Sequence, residues 1–263
     1  MTDSHSEGIQ ETFVSHLVEL RDRLIKALIA FVVVFGILMI WPGAGAIYDF
    51  LALPLTRALP QGTKMIATGV ITPFMVPLKV GAMVAFVVAL PVILFQAWAF
   101  VAPGLYQHEK KFALPLVMAS TILFIIGMAF CYYFVFGKVF SFINDFAPKS
   151  ITPAPDIEAY LNFVLTMFVA FGVTFEVPIV VIVLVVFNIV SLEKLREWRS
   201  YVIVGAFVIA AVVTPPDVLS QLLLAIPMCI LYEVGLLCAR FVVKPQTRAQ
   251  ADAAAAEAAG DQK

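Results

Sequence analysis

A chain of 263 residues that is 62% hydrophobic and only 13% charged is not a soluble domain, because soluble chains carry about 25% charged residues. Its apolar residues fall in long runs, as in a polytopic membrane protein, and a formal net charge of −1 gives no reason to expect nucleic acid. Cys131, Cys229 and Cys238 all lie inside apolar runs and read as small buried hydrophobes, not as a disulfide framework or a metal set.

Residues 1–10 are polar and expected to be mobile, with no apolar core followed by a small-residue cleavage site. No cleavable signal peptide is therefore expected, and the first span serves as the insertion signal. From Thr12 the periodicity predicts a short amphipathic helix, with Phe13, Leu17, Leu20 and Leu24 on one face and His16, Glu19 and Arg23 on the other. It leads into a first span over 24–41, which Pro42, Gly43 and Gly45 end. Residues 46–72 form a long connection holding Pro54, Pro60 and Gly62, apolar enough to cap the bundle, with a short amphipathic helix near 47–57.

A second span covers 73–100, bent by Pro77 and Pro91, with Lys79 reaching back to the interface. After the loop APGLYQHEKK a third span covers 112–136 and ends in an aromatic belt of Tyr132, Tyr133 and Phe134. Residues 138–160 read as a second connection, rich in proline, with Asp156 as the N-cap of the next helix and Glu158 in its first turn. The fourth span is 161–187, and a short interfacial helix is expected after Ser191. The fifth and sixth runs, 201–214 and 218–240, are separated by Thr214, Pro215, Pro216 and Asp217. The fifth covers only about 20 Å of a hydrocarbon core of about 30 Å. The pair either crosses a thinned bilayer or forms a re-entrant hairpin. The organisation is thus one all-α membrane domain over 1–244, followed by an alanine-rich tail, 245–263, expected to be disordered.

Basic residues sort by loop. Arg21, Arg23 and Lys26 precede the first span, Lys110 and Lys111 follow the second, Lys194, Arg196 and Arg199 follow the fourth, and Arg240, Lys244 and Arg248 follow the sixth. The opposite loops hold only Arg57, Lys64, Lys138 and Lys149, with Lys79 at the head of the second span. The positive-inside rule then places both termini in the cytoplasm and the two proline-rich connections outside.

Chemistry is scarce. There is no GxxxxGK[ST] phosphate loop and no HExxH, and the three histidines, His5, His16 and His108, all fall on the cytoplasmic side. An intramembrane protease lacks its base and its ligands, so the chain is not read as an enzyme, and no metal or cofactor is expected. Work must be driven by an ion gradient or by partners. Glu176 lies near the middle of the fourth span, where a carboxylate costs about 2.5–3.5 kcal/mol on insertion scales. Two residues on, Pro178 frees a backbone carbonyl one turn back. Together these make a polar notch that either faces a cavity lined by other helices or ties the helix to a neighbour for packing alone. On the cytoplasmic face, Glu19 has an ordinary reading as an i,i+4 partner of Arg23, and Glu109 as a first-turn acid complementing the third helix's dipole. The sharper reading is that each takes a guanidinium in a bidentate clasp, which would select paired arginines over lysines.

The segments HLVELRDRL, PLTRALPQG, QAWAFVAPGLYQHEKK, GMAF, AFGVTFEVP and VGAFVIAAVVTPPDVLSQLLLAIP occur in that order from His16 to Arg240. Together they resemble the TatC family, the multispanning receptors of twin-arginine protein translocases. The resemblance implies six membrane helices in a cup-shaped bundle with short fifth and sixth helices, which favours spanning over the re-entrant hairpin. It implies a receptor for twin-arginine signals of folded proteins, in the bacterial cytoplasmic membrane, driven by the proton-motive force. It also implies single-span partners TatA and TatB, and other copies of the chain in one complex within the lipid. Carried over by motif, Glu19 and Glu109 contact the arginine pair, Phe100 borders that site, and Arg21, in the entry-helix motif, joins the signal-peptide-binding residues. Glu176 lines the concave face, Thr214 and Gln221 dock partner helices, Pro54 belongs to the outer cap and Asp217 to the PPD turn. Lys110–Lys111 departs from the arginines that some relatives carry there. The competing reading is an ion-coupled transporter in which Glu176 carries protons, with Gln96, Gln221 and Glu233 as the other polar groups, although these form no evident line.

Overall fold

The computed structural model describes residues 3–41, 43, 45–49, 66–101, 110–146, 156–187, 189–214 and 217–260. Among these every regular element is helical, apart from one isolated bridge between Ile66 and Asp156. Helix α1, Asp3–Ile40, joins the expected polar lead, amphipathic helix and first span into one rod. No proline falls between Asp3 and Trp41, so nothing in the sequence breaks it. Helix α2, Thr72–Val101, carries Pro77 and Pro91 within it. Helix α3, Lys110–Phe130, passes through a π-helical turn, Cys131–Val135, into α4, Phe136–Phe146. The third span therefore does not stop near Phe136 as expected. Its continuation buries Val139 and Phe140, and the next proline is Pro148. Helix α5 is Ile157–Val186, α6 is Leu192–Glu197, α7 is Arg199–Val213 and α8 is Val218–Gly260. Helix α8 runs on through residues expected to be disordered, where its alanines have the highest helix propensity.

Five of the described helices are long and apolar enough to cross a membrane, over Ser15–Ile40, Thr72–Phe100, Leu114–Ile143, Ile157–Val186 and Val218–Phe241. The sixth, α7, has 15 residues. Ahead of α7, Ser191 caps the start of α6 by accepting from the Lys194 N–H at 3.3 Å, as the expected interfacial helix requires.

The chain forms two compact units. One comprises Met1–Ile125 and Ala147–Leu165, the other Ile126–Phe146 and Thr166–Lys263. In the first, α1 packs along α2, and Gly81 leaves room for the Met39 side chain. None of the apolar window of α1 is buried, so most of its surface is of the kind that lipid covers. The indole N–H of buried Trp98 donates to Ser120 Oγ at 3.0 Å, which satisfies two polar groups between α2 and α3. In the second unit, glycines let helices meet backbone to backbone. A β-carbon on Gly235 of α8 would lie 2.9 Å from Pro178 Cα and 3.0 Å from Val181 Cβ of α5. Lipid tails are as apolar as leucine, so such close packing, not burial of oily surface from water, is what drives helix association in a membrane. Val181, Val185, Leu195, Tyr232, Leu236 and Ala239 form one core cluster there, with the Tyr232 hydroxyl donating to the Leu195 carbonyl at 2.6 Å.

Candidate functional site

Two of the residues expected to read a cationic ligand, Glu19 and Phe100, come together where the polar part of α1 meets the end of α2. His16, Glu19 and Arg23 are spaced three and four apart, so one face of α1 presents all three. Arg23 donates from both Nε (3.0 Å) and Nη2 (2.5 Å) to the same oxygen, Glu19 Oε1. The second oxygen, Oε2, lies 3.9 Å from His16 Nδ1, too long for a hydrogen bond. The His16 ring in turn stacks on Phe100 of α2, with centroids 4.4 Å apart and planes 21° from parallel. Glu19 and Phe100 are thus brought to one place, and His16 joins them. Sequence reasoning placed His16 on the polar face but gave it no role, although its spacing from Glu19 is the signal that could have assigned one. Arg21 is elsewhere, folded onto the neighbouring Asp22 at 2.9–3.0 Å. Glu109 lies outside the described residues.

Glu176 sits on α5 in the turn that contains Pro178, and Thr174, whose carbonyl the proline leaves without its helical donor, is also buried. Both carboxylate oxygens of Glu176 are closed off from solvent, so the group is enclosed by protein. The α5–α8 contact at Gly235 falls in the same stretch of α5.

Of the residues expected to dock partners, Thr214 is buried and turned inward, its hydroxyl donating to the Ala210 carbonyl at 2.8 Å at the end of α7. Gln221 reaches across from α8 and donates through Nε2 to the Phe207 carbonyl of α7 at 3.3 Å. Asp217 caps α8, its Oδ1 accepting from the Ser220 N–H at 2.6 Å, the ordinary work of an aspartate at a helix start. Glu233 pairs with Arg199 at 2.6 Å, which spends one of the groups that a proton path would need.

At the other end of α2 a polar network closes the described part of the connections. Asp156 Oδ1 accepts from the N–H groups of Glu158 and Ala159, both at 2.9 Å, as the expected N-cap. Its Oδ2 accepts from the Thr68 hydroxyl at 2.6 Å and the Thr68 N–H at 3.1 Å. The Thr68 hydroxyl, followed by these N–H groups, holds the Asp156 carboxyl down at about 2 against an ordinary 3.8. Glu158 accepts from Thr72 Oγ1 at 3.0 Å and from Lys79 Nζ at 2.8 Å, and Lys79 also reaches Asn162 at 3.1 Å. Lys79, expected to reach back to the interface, is also an ion-pair partner of Glu158. Pro54 lies outside the described residues. Among the described residues no three histidine, cysteine, aspartate or glutamate side chains converge as a metal site would need.

A family model described as Sec-independent protein translocase protein (TatC) matches residues 15–227. The chain is 52% identical over 231 residues to the Sec-independent protein translocase protein TatC of Haemophilus influenzae, covering 88% of this chain and 90% of that protein. It is 48% identical over 233 residues to the protein of the same name from Escherichia coli strain K12, covering 89% and 90%. It also superposes on a crystal structure described as the twin arginine translocase receptor TatC, with a TM-score of 0.76 and 37% identity, over 87% of this chain and 99% of that one.

Proposed function

Because the chain belongs to the TatC family of Sec-independent protein translocase proteins, we propose that it is the signal-peptide receptor and assembly core of a twin-arginine translocase. It is a multi-pass protein of the bacterial inner membrane and a translocase component. Its work is to bind the paired arginines of a signal peptide on the cytoplasmic face. Exported proteins then pass in the folded state, with the single-span subunits TatA and TatB recruited and the proton-motive force supplying the energy. Both termini are cytoplasmic, as the loop charges require.

One observation carries this reading. An acid, Glu19, stands beside the stacked His16–Phe100 pair at the polar end of α1, within the stretch that the family model matches. Arg23 already holds one side of that acid, so the site is preorganised and does not have to be ordered by the ligand. Glu109, in the adjoining loop, is the second acid of the receptor. The enclosed Glu176 marks where the deeper part of a signal peptide or a partner helix acts. The transporter reading is weaker, because Glu233 is held by Arg199.

The test is binding of a twin-arginine signal peptide to the purified chain in nanodiscs, against a twin-lysine control, with Glu19→Ala and Glu109→Ala. Arginine-selective binding that both substitutions weaken supports the receptor. Binding indifferent to arginine versus lysine and to both glutamates sinks it and returns attention to ion flux.

A further inference from the structure

The receptor reading leaves open how the site tells arginine from lysine, and the geometry at Glu19 narrows the answer. A guanidinium recognises a carboxylate most selectively by laying two parallel N–H groups on its two oxygens. That mode is obstructed here. Arg23 places two donors on Oε1, using both of its lone pairs. Arg23 is also the better buried partner, at 22% side-chain exposure against 36% for Glu19. An incoming cation finds Oε2 only. One oxygen accepts an ammonium as readily as a guanidinium, so Glu19 supplies attraction but little discrimination.

What lies beside Oε2 is flat. The His16 ring is 3.9 Å away through Nδ1, one of its faces is covered by Phe100, and its side chain is still 50% exposed. A cation reaching Oε2 therefore meets the open part of a two-ring stack. A guanidinium is planar, delocalised and weakly hydrated, and stacks on such a surface. An ammonium is compact and strongly hydrated, and does not. We propose that His16, backed by Phe100, is a stacking platform that selects the arginine side chain of a bound peptide, with Glu19 Oε2 providing charge alone. This rests on the receptor reading and assigns its specificity to a residue outside the acid pair.

The experiment uses the full-length chain in nanodiscs and two labelled peptides that differ only in a twin-arginine or twin-lysine pair. The measured quantity is the ratio of their affinities. Stacking of this kind changes affinity by roughly 2- to 30-fold. His16→Ala should cut the arginine-to-lysine ratio by that factor while leaving twin-lysine binding within about twofold. His16→Leu keeps bulk against Phe100 but has no flat face, so it should behave like His16→Ala and stands in for it if the alanine variant folds poorly. His16→Phe should restore the ratio. Glu19→Gln should weaken both peptides alike and keep the ratio. If His16→Ala and His16→Leu leave the ratio unchanged, or His16→Phe loses it, the platform is wrong while the receptor stands. If the unaltered chain shows no preference for arginine, the receptor reading falls and the platform with it.

Discussion

A β-carbon placed on Gly127 of α3 would stand 2.5 Å from the carbonyl oxygen of Phe171 on α5. The obstacle is backbone, with Phe175 Cγ close behind at 2.9 Å, so no rotamer change relieves it. The GMAF and AFGVTFEVP segments meet here, and the Phe130 ring lies 5.9 Å from that of Phe171 and 5.8 Å from that of Phe175. Gly127→Ala gains about 1 kcal/mol in helix propensity, whereas overpacking costs about 1–3 kcal/mol. The clash should win. A lower unfolding midpoint in detergent is expected, and a larger drop for Gly127→Val. An alanine variant as stable as the parent would mean that α3 and α5 do not approach this closely.

Asp156 gives a prediction whose sign depends on pH. Its carboxylate form is favoured by the fold, with the carboxyl held at about 2 against 3.8. The stability it contributes is complete above the ordinary value and is lost as the pH falls through the folded value. Asp156→Ala should lower thermal stability at neutral pH, and the gap from the parent should shrink between about pH 4 and pH 2. Asp156→Asn should fall between the two. It can still cap α5 through Oδ1, but it sets an amide N–H₂ against the Thr68 N–H. Thermal melts across that pH range decide it, and a gap that persists at pH 2 would assign the effect to something other than the carboxylate.

The local part of this architecture could be read from the chain, and the long-range part could not. Asp156 announced itself as an N-cap because an aspartate before an apolar run has one common use, and Ser191 did the same for α6. Six apolar runs gave the spans. Their ends were harder. Residues 138–146 seemed to open a proline-rich connection, yet the π turn at Cys131–Val135 carries the helix on to Phe146. Lys79 could be placed at an interface but not beside Glu158, 79 residues away in the chain, and His16 could not be placed against Phe100 at all. Glu176 was legible as a residue out of place. The complete enclosure of its carboxylate was not, because burial of one side chain depends on how several helices pack.

Tyr232→Phe tests the seam between α6 and α8. The Tyr232 hydroxyl donates to the Leu195 carbonyl at 2.6 Å, and both residues are buried. Removing the hydroxyl leaves that carbonyl without this donor in an apolar cluster, at a cost of about 1–2 kcal/mol. A lower midpoint with unchanged peptide binding is expected, since the described receptor residues, His16, Glu19 and Phe100, lie on α1 and α2. Loss of arginine selectivity in this variant would show that the site depends on more of the fold than the α1–α2 contact.

Partner docking separates Gln221 from Thr214. Both were assigned to partner helices by resemblance, but their side chains are placed differently. The Thr214 hydroxyl is buried and bonded to the Ala210 carbonyl, which also accepts the Thr214 N–H at 2.9 Å, so Thr214→Val leaves that carbonyl satisfied. Gln221 is part-exposed, and its one described side-chain bond leaves the amide oxygen for an incoming donor. A polar residue on a single-span partner helix gains most from an amide it can reach, because interhelical hydrogen bonds in a membrane are worth about 1–2 kcal/mol. Gln221→Leu should therefore reduce site-specific crosslinking to TatB-type partners several-fold, roughly the 5- to 30-fold such a bond would supply. Thr214→Val should reduce it by less than about twofold. The reverse order would mean that docking opens the end of α7 and exposes the Thr214 hydroxyl, so that the surface the partner meets is not the one described here.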